Sequence, residues 1–260
     1  MNILVLANYD LAACFALNCL LPKLFKSHHV TLWLSQSVGN PNTFTKPITD
    51  LGQFERSVLE SGMIDNHALP LKRFDEFTRL ASKPKIVNSI NCDESLAQLS
   101  ALDLDVIVSI RYGCILKDMA IAQAKLGVIN LHSGILPSYR GVMATFWAML
   151  NNDNEIGTTL HAIDSATIDT GKIFKISKRP LDKSKSYLHQ VLSLYPQGIN
   201  DMLEAIDSLS QGHSLTSFPQ ENTGCYFTFP TEQNLTHFEQ RGMTFVNERE
   251  IQALLDQVMA

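Results

Sequence analysis

Charge is scarce in this 260-residue chain: only 18% of the residues are Asp, Glu, Lys or Arg, the net charge is −5, and Lys and Arg form no block. That leaves no basic stripe for extended contact with nucleic acid, so no nucleic-acid partner is expected. Short basic pieces such as "SKPK" (82–85) and "KSK" (183–185) read as solvated loops. Cysteine is sparse too. The five present (Cys14, Cys19, Cys92, Cys114, Cys225) are odd in number and scattered without a CxxC spacing, which favours neither a zinc site nor a disulfide framework. No apolar run reaches membrane-spanning length; "LAACFALNCLLPKLF" (11–25) contains Asn18, Pro22 and Lys23. The opening "MNILVLANYD" lacks a basic n-region and reads as a strand, so a cytoplasmic protein without membrane contact is expected. Glycine is missing where a dinucleotide-binding fold needs it. "ANYDLAAC" follows the first strand in place of G-x-G-x-x-G, and P-loop, HExxH and G-x-S-x-G patterns are absent. Nicotinamide cofactors and ATP are therefore not expected. The histidines at 28, 29, 67, 189, 213 and 237 show no metal-ligand spacing, and no metal is expected.

What is present is apolar and alternating. Hydrophobic residues make up 45% of the chain, enough for a large core. "NILVLA" (2–7), "HVTLWLS" (29–35), "DVIVSI" (105–110), residues 127–131, "GTTLHAI" (157–163) and "GKIFKISKRPL" (171–181) read as strands. Helical spacing falls at 10–26 with Asp10 as N-cap, near 50–62, at 74–81, and near 93–101, 117–124 and 142–152. Strands joined by helical crossovers predict an α/β fold with a doubly wound, mostly parallel sheet over residues 1–180. Residues 181–260 form a small C-terminal α+β extension. It comprises a helix over 184–210 interrupted near Pro196, "CYFTFP" (225–230), a helix from Glu232 to Gln240, "MTFV" (243–246) and a closing helix from Glu248.

The chemistry concentrates in "VINLHSGILPSYRG" (128–141). Asn130 and His132 are two apart on a strand and share a face, and a Gly/Pro-broken loop follows where ligand sites lie, past the carboxyl end of the strand. "IDSATIDTG" (163–171) closes on Asp169 after the next strand. Taken singly, Asn130 is a buried polar tie, His132 a structural histidine and Asp169 a turn residue before Gly171. Together an amide donor, an imidazole and a carboxylate are what acyl transfer to an amine requires. The donor faces the charge developing on the carbonyl oxygen, and the histidine, biased by the carboxylate, moves the proton.

At these residues, "N-x-H-x(3)-LP-x-YRG" followed by "D-x(4)-DTG", with "YGCIL" (112–116) upstream, the chain resembles the folate-dependent formyltransferases. The resemblance covers residues 1–180 and is strongest over 105–176. It implies a Rossmann-like formyltransferase core that moves a formyl group from N10-formyltetrahydrofolate, the co-substrate, to a primary amine. By it, Asn130 bonds the formyl oxygen, His132 is the general acid/base, and Asp169 positions a water and His132. The backbone of Cys114, Ile115 and Leu116 grips the pterin edge, under a 163–168 loop containing Asp164 and Ala166. Tyr139 and Arg140 border the acceptor. His161, sharing a face with Thr159 and Ile163, reads as supporting or core. Arg111 is either a solvated or an acceptor-side charge, and Asp164 either a turn former or a folate contact.

The non-basic tail argues against initiator tRNA. The absence of a glycine loop after the first strand argues against the purine-pathway member. A small-molecule amine remains, an amino sugar on a nucleotide first. An amino acid or a hydroxylamine of the siderophore-precursor type stays open, as does a hydrolase releasing formate from formyl-folate. The tail has three uses open to it: an acceptor subsite, a homodimer contact, or both.

Overall fold

The computed structural model describes residues 1–221 and 224–260. Its strands, in chain order, are β1 (Asn2–Asn8), β2 (His29–Ser35), β3 (Met63–Ile64), β4 (His67–Ala68), β5 (Lys85–Ile86), β6 (Val106–Ile110), β7 (Val128–His132), β8 (Tyr139–Gly141), β9 (Glu155–Ala162), β10 (Ile173–Pro180) and β11 (Cys225–Phe227). The helices are α1 (Leu11–Leu24), α2 (Lys46–Ser61), α3 (Asp93–Ala101), α4 (Asp118–Ile121), α5 (Ala144–Leu150), α6 (Tyr187–Ser210), α7 (Glu232–Gln240) and α8 (Glu248–Met259).

Seven strands form one sheet in the order β10-β9-β7-β6-β1-β2-β5. The run from β7 to β5 is parallel, and β9 and β10 turn antiparallel at one edge. The middle strands are apolar at consecutive positions because both faces are covered. Ile3, Val5 and Ala7 of β1 pack into the core containing α1 and α6, while Leu4 and Leu6 face Leu99 of α3 and Ala120 of α4. Chain order reverses at β1, with β2 on one side and β6 on the other, so the crevice past the carboxyl ends of β1, β6 and β7 is the natural ligand site. Asp10 caps α1 as expected, its Oδ1 accepting from Ala13 N at 2.7 Å.

Three expectations change. Residues 74–81 make only a 3₁₀ turn at Phe74–Glu76. Phe74 and Phe77, three apart, both enter the core, and the Ala81 N–H then pairs with the Val30 carbonyl along the sheet edge instead of closing a helix. Helix α6 runs through Pro196 unbroken, because the fully buried Tyr195 and Ile199 on either side hold it across the missing backbone bond. "MTFV" is not a strand. Its Thr244 and Phe245 carbonyls accept from Tyr187 N and Leu188 N, satisfying two of the free donors at the start of α6. Among the described residues no helix is long and apolar enough to cross a membrane.

Candidate active site

Strand β7 ends at the crevice with Asn130 and His132 on the same face. Because β9 is antiparallel to it, His161 falls directly opposite Asn130, and Thr159 opposite His132. Asp169 returns from the loop after β9 with a left-handed backbone, φ 55°. Gly171 lets that loop fold back, since a Cβ there would lie 1.9 Å from the Ala162 carbonyl oxygen. Gly134 plays the same part on the other side: its Cβ would stand 2.6 Å from His132 Nε2. The buried Thr159 hydroxyl secures the 133–137 loop, donating to the Gly134 carbonyl at 2.7 Å and accepting from Leu136 N at 3.0 Å.

These elements bring four side chains together. His132 Nε2 donates to the Tyr139 carbonyl at 2.7 Å. A carbonyl only accepts, so Nε2 carries the proton of the neutral ring and Nδ1 is the basic atom. His132 Nδ1 lies 3.6 Å from Asp169 Oδ2, which also accepts from Gly141 N at 2.8 Å. The same logic fixes His161: its Nδ1 donates to the Ala162 carbonyl at 2.8 Å, leaving Nε2 to accept from Asn130 Nδ2 at 3.0 Å. One N–H of Asn130 is thus anchored, and the amide's second N–H remains for a ligand. His161 Nε2 also approaches Asp169 Oδ1 at 3.4 Å. Burial pushes the Asp169 carboxyl up, but with the imidazoles protonated the charge of His132, the bond and charge of His161, and the Gly141 N–H outweigh it and hold it at about 2. Asp169 is therefore a fixed anion that any proton arriving on His132 Nδ1 would face.

The group opens onto a cavity of about 460 Å³, lined by Asn130, His132, Asp169, residues 111–116, Ile163, residues 165–168, Tyr187 and the tail residues Tyr226, Thr228 and Phe229. Among the described residues, the backbone N–H groups of Cys114, Ile115, Leu116 and Ala166 donate to no protein acceptor, so two facing stretches of main chain are free for a flat polar ligand. The Cys114 thiol itself turns to the Asn88 carbonyl at 3.3 Å.

Several sequence expectations are redistributed here. Asp164 is exposed and outside the cavity wall, a placement that suits a turn former. Tyr139 and Arg140, expected beside the acceptor, do not line the cavity either. The Tyr139 hydroxyl donates to Asp153 at 2.7 Å, and Arg140 holds the Gly224 carbonyl at 2.8 Å, because β8 is pinned to β11 of the tail. What that stretch supplies is backbone, through the Tyr139 carbonyl and Gly141 N–H. Sequence reasoning set His161 apart from the trio and left Arg111 undecided; both line the cavity. The tail was open to use as an acceptor subsite, and its Tyr226, Thr228 and Phe229 line the cavity.

Residues 69–191 match the family described as Formyl transferase. Over 130 residues the chain is 36% identical to a methionyl-tRNA formyltransferase of Synechococcus sp. (strain JA-3-3Ab), a match covering 50% of this chain and 40% of that protein. The chain therefore spans less than half the length of this relative. In fold it is similar to a 4-N formyltransferase from Francisella tularensis (TM-score 0.59, 12% identity, 95% of this chain and 93% of that one). It is also similar to an N-formyltransferase from Helicobacter canadensis solved with folinic acid and dTDP-3-aminofucose (TM-score 0.52, 18% identity, 94% and 84%). Residues 69–191 thus carry the sequence pattern of the formyl transferase family, on a fold shared with solved formyltransferases.

Proposed function

We propose that the protein transfers a formyl group from N10-formyltetrahydrofolate to the primary amine of a small molecule, an amino sugar carried on a nucleotide first among them. The observation that carries this reading is the convergence of Asn130, His132 and Asp169 on one cavity that also presents the free main chain of 114–116. The co-substrate supplies an activated formyl carbon. The free main-chain groups suit the polar edge of its pterin, and Leu116 and Ile163 suit its ring faces.

The amine attacks the formyl carbon directly, so no Ser or Cys nucleophile is needed. The unanchored N–H of Asn130 faces the formyl oxygen as negative charge grows on it. His132 Nδ1 takes the proton released by the attacking amine, and Asp169 stabilises the resulting imidazolium at 3.6 Å. The same proton then passes to the departing folate nitrogen, returning His132 to its neutral form. His161 keeps Asn130 aimed.

Support for a sugar acceptor comes from extent. The likeness to the Francisella and Helicobacter formyltransferases runs the length of this chain, tail included, whereas the methionyl-tRNA relative is matched over half of it. The deciding experiment incubates the protein with N10-formyltetrahydrofolate and an amine panel spanning dTDP- and UDP-amino sugars, ornithine derivatives and amino acids. Mass spectrometry should find one formyl group gained by a particular amine. Formate release independent of any amine would replace the transferase reading with a hydrolase.

A further inference from the structure

The cavity wall contains a guanidinium that the formyl-transfer chemistry above does not use. Arg111 follows β6 in a left-handed backbone conformation, φ 59°, which a non-glycine residue rarely adopts. Its Nε binds both oxygens of Asp10, at 3.0 and 3.2 Å. Neither terminal nitrogen donates to a described acceptor in ordinary hydrogen-bond geometry, although the buried Tyr195 hydroxyl, which has no other partner, lies against the guanidinium, and the side chain keeps 21% exposure. Arg111 and Tyr187, the first residue of α6, both line the cavity. Tyr187 is buried at 5% exposure, and the buried hydroxyl without a partner beside it is that of Tyr195.

The neighbouring helix terminus shows why Arg111 is left as the anion-binding group. The start of α1 already holds two carboxyl groups of the protein: Asp10 accepts from Ala13 N at 2.7 Å and Glu55 from Ala12 N at 3.2 Å. The Ala12 and Ala13 N–H groups that would otherwise meet an incoming anion there are thus already taken by carboxyl groups. An incoming anion does find two parallel donors on Arg111, the geometry that suits a carboxylate or phosphate. We infer that Arg111 is the specificity determinant of the acceptor subsite, and that the amine formylated here carries a carboxylate or phosphate. The inference rests on the transferase reading above and narrows its acceptor to anionic amines.

The test is calorimetric binding, independent of turnover, on the full chain saturated with tetrahydrofolate. Two matched pairs separate the sources of the anion: ornithine against 1,4-diaminobutane for a carboxylate, and glucosamine 6-phosphate against glucosamine for a phosphate. The wild type should bind at least one anionic member about tenfold or more tighter than its partner, the size of a charge-assisted pair of bonds. Arg111→Met should reduce that preference to below about threefold while tetrahydrofolate affinity stays within about threefold. Removing Arg111 alone strands the buried Asp10, so Asp10→Asn with Arg111→Met serves where the single variant fails to fold; Asn caps a helix as well as Asp. No preference in the wild type, or a preference that survives loss of Arg111, would overturn the inference. A panel in which no amine is formylated would instead defeat the transferase reading, leaving the binding result to stand by itself.

Discussion

Asp169→Asn isolates the charge on which the site depends. The folded protein holds this carboxyl at about 2 against an ordinary 3.8, despite burial that would push it the other way. At ~1.36 kcal/mol per pH unit, the gap corresponds to about 2.4 kcal/mol of stability. Its sign follows from which state binds the proton first. The folded pKa is the lower one, so the contribution is complete above about pH 5 and is lost as the pH falls through about 4 to about 2. Asparagine keeps the shape and can still accept from Gly141 N, but has no charge to set against His132 and His161. The variant should therefore be about 2 kcal/mol less stable than wild type near neutrality, the difference should be about halved near pH 3, and the two should converge below about pH 2. Urea unfolding across that pH range measures it. A stability difference that does not change with pH would refute the assignment of a buried carboxylate held ionised by two histidines. In the formylation assay the same variant should lose about 100-fold or more in rate, the ordinary size of a general acid–base contribution.

Other expectations follow from the same geometry. His132→Asn should abolish turnover while folate affinity, measured by calorimetry, changes by less than about threefold, because the main chain of 114–116 is untouched; near-wild-type turnover would remove His132 from the mechanism. Thr159→Val strips the hydroxyl that bonds Gly134 and Leu136, and should cost about 1–3 kcal/mol in denaturant unfolding; no loss would mean that the loop is held some other way. Gly134→Ala places a methyl 2.6 Å from His132 Nε2 and 2.4 Å from the Ala144 side chain. It should lower both the rate and the melting temperature, and an active, fully stable variant would contradict the packing described for this loop.

Local order was largely legible in the chain. "HVTLWLS" marked a strand because residues buried on both faces leave no polar alternation, and Asp10 marked a helix start because its carboxylate satisfies a free N–H. The misread segments are those where long-range packing outweighs local preference. Phe74 and Phe77 fit helical spacing as well as they fit a 3₁₀ turn, and only the sheet edge waiting for the Ala81 N–H decides between them. Pro196 breaks an isolated helix but not one held on both sides by core. Tyr139 and Arg140 were expected at the acceptor because the resemblance sets that loop there; their partners, Asp153 and Gly224, lie on segments whose approach leaves no mark in the loop itself.

By itself the sequence determined that an amide, an imidazole and a carboxylate lie at successive strand ends of an α/β sheet, since a period-2 strand and a turn residue are local properties. Tertiary structure decided which nitrogen of the neutral His132 ring keeps its lone pair, that His161 faces Asn130, and that Arg111 and the tail wall the cavity. Those depend on the antiparallel pairing of β9 and the return of α6 and β11 across the crevice, contacts between residues distant in the chain that no local pattern encodes.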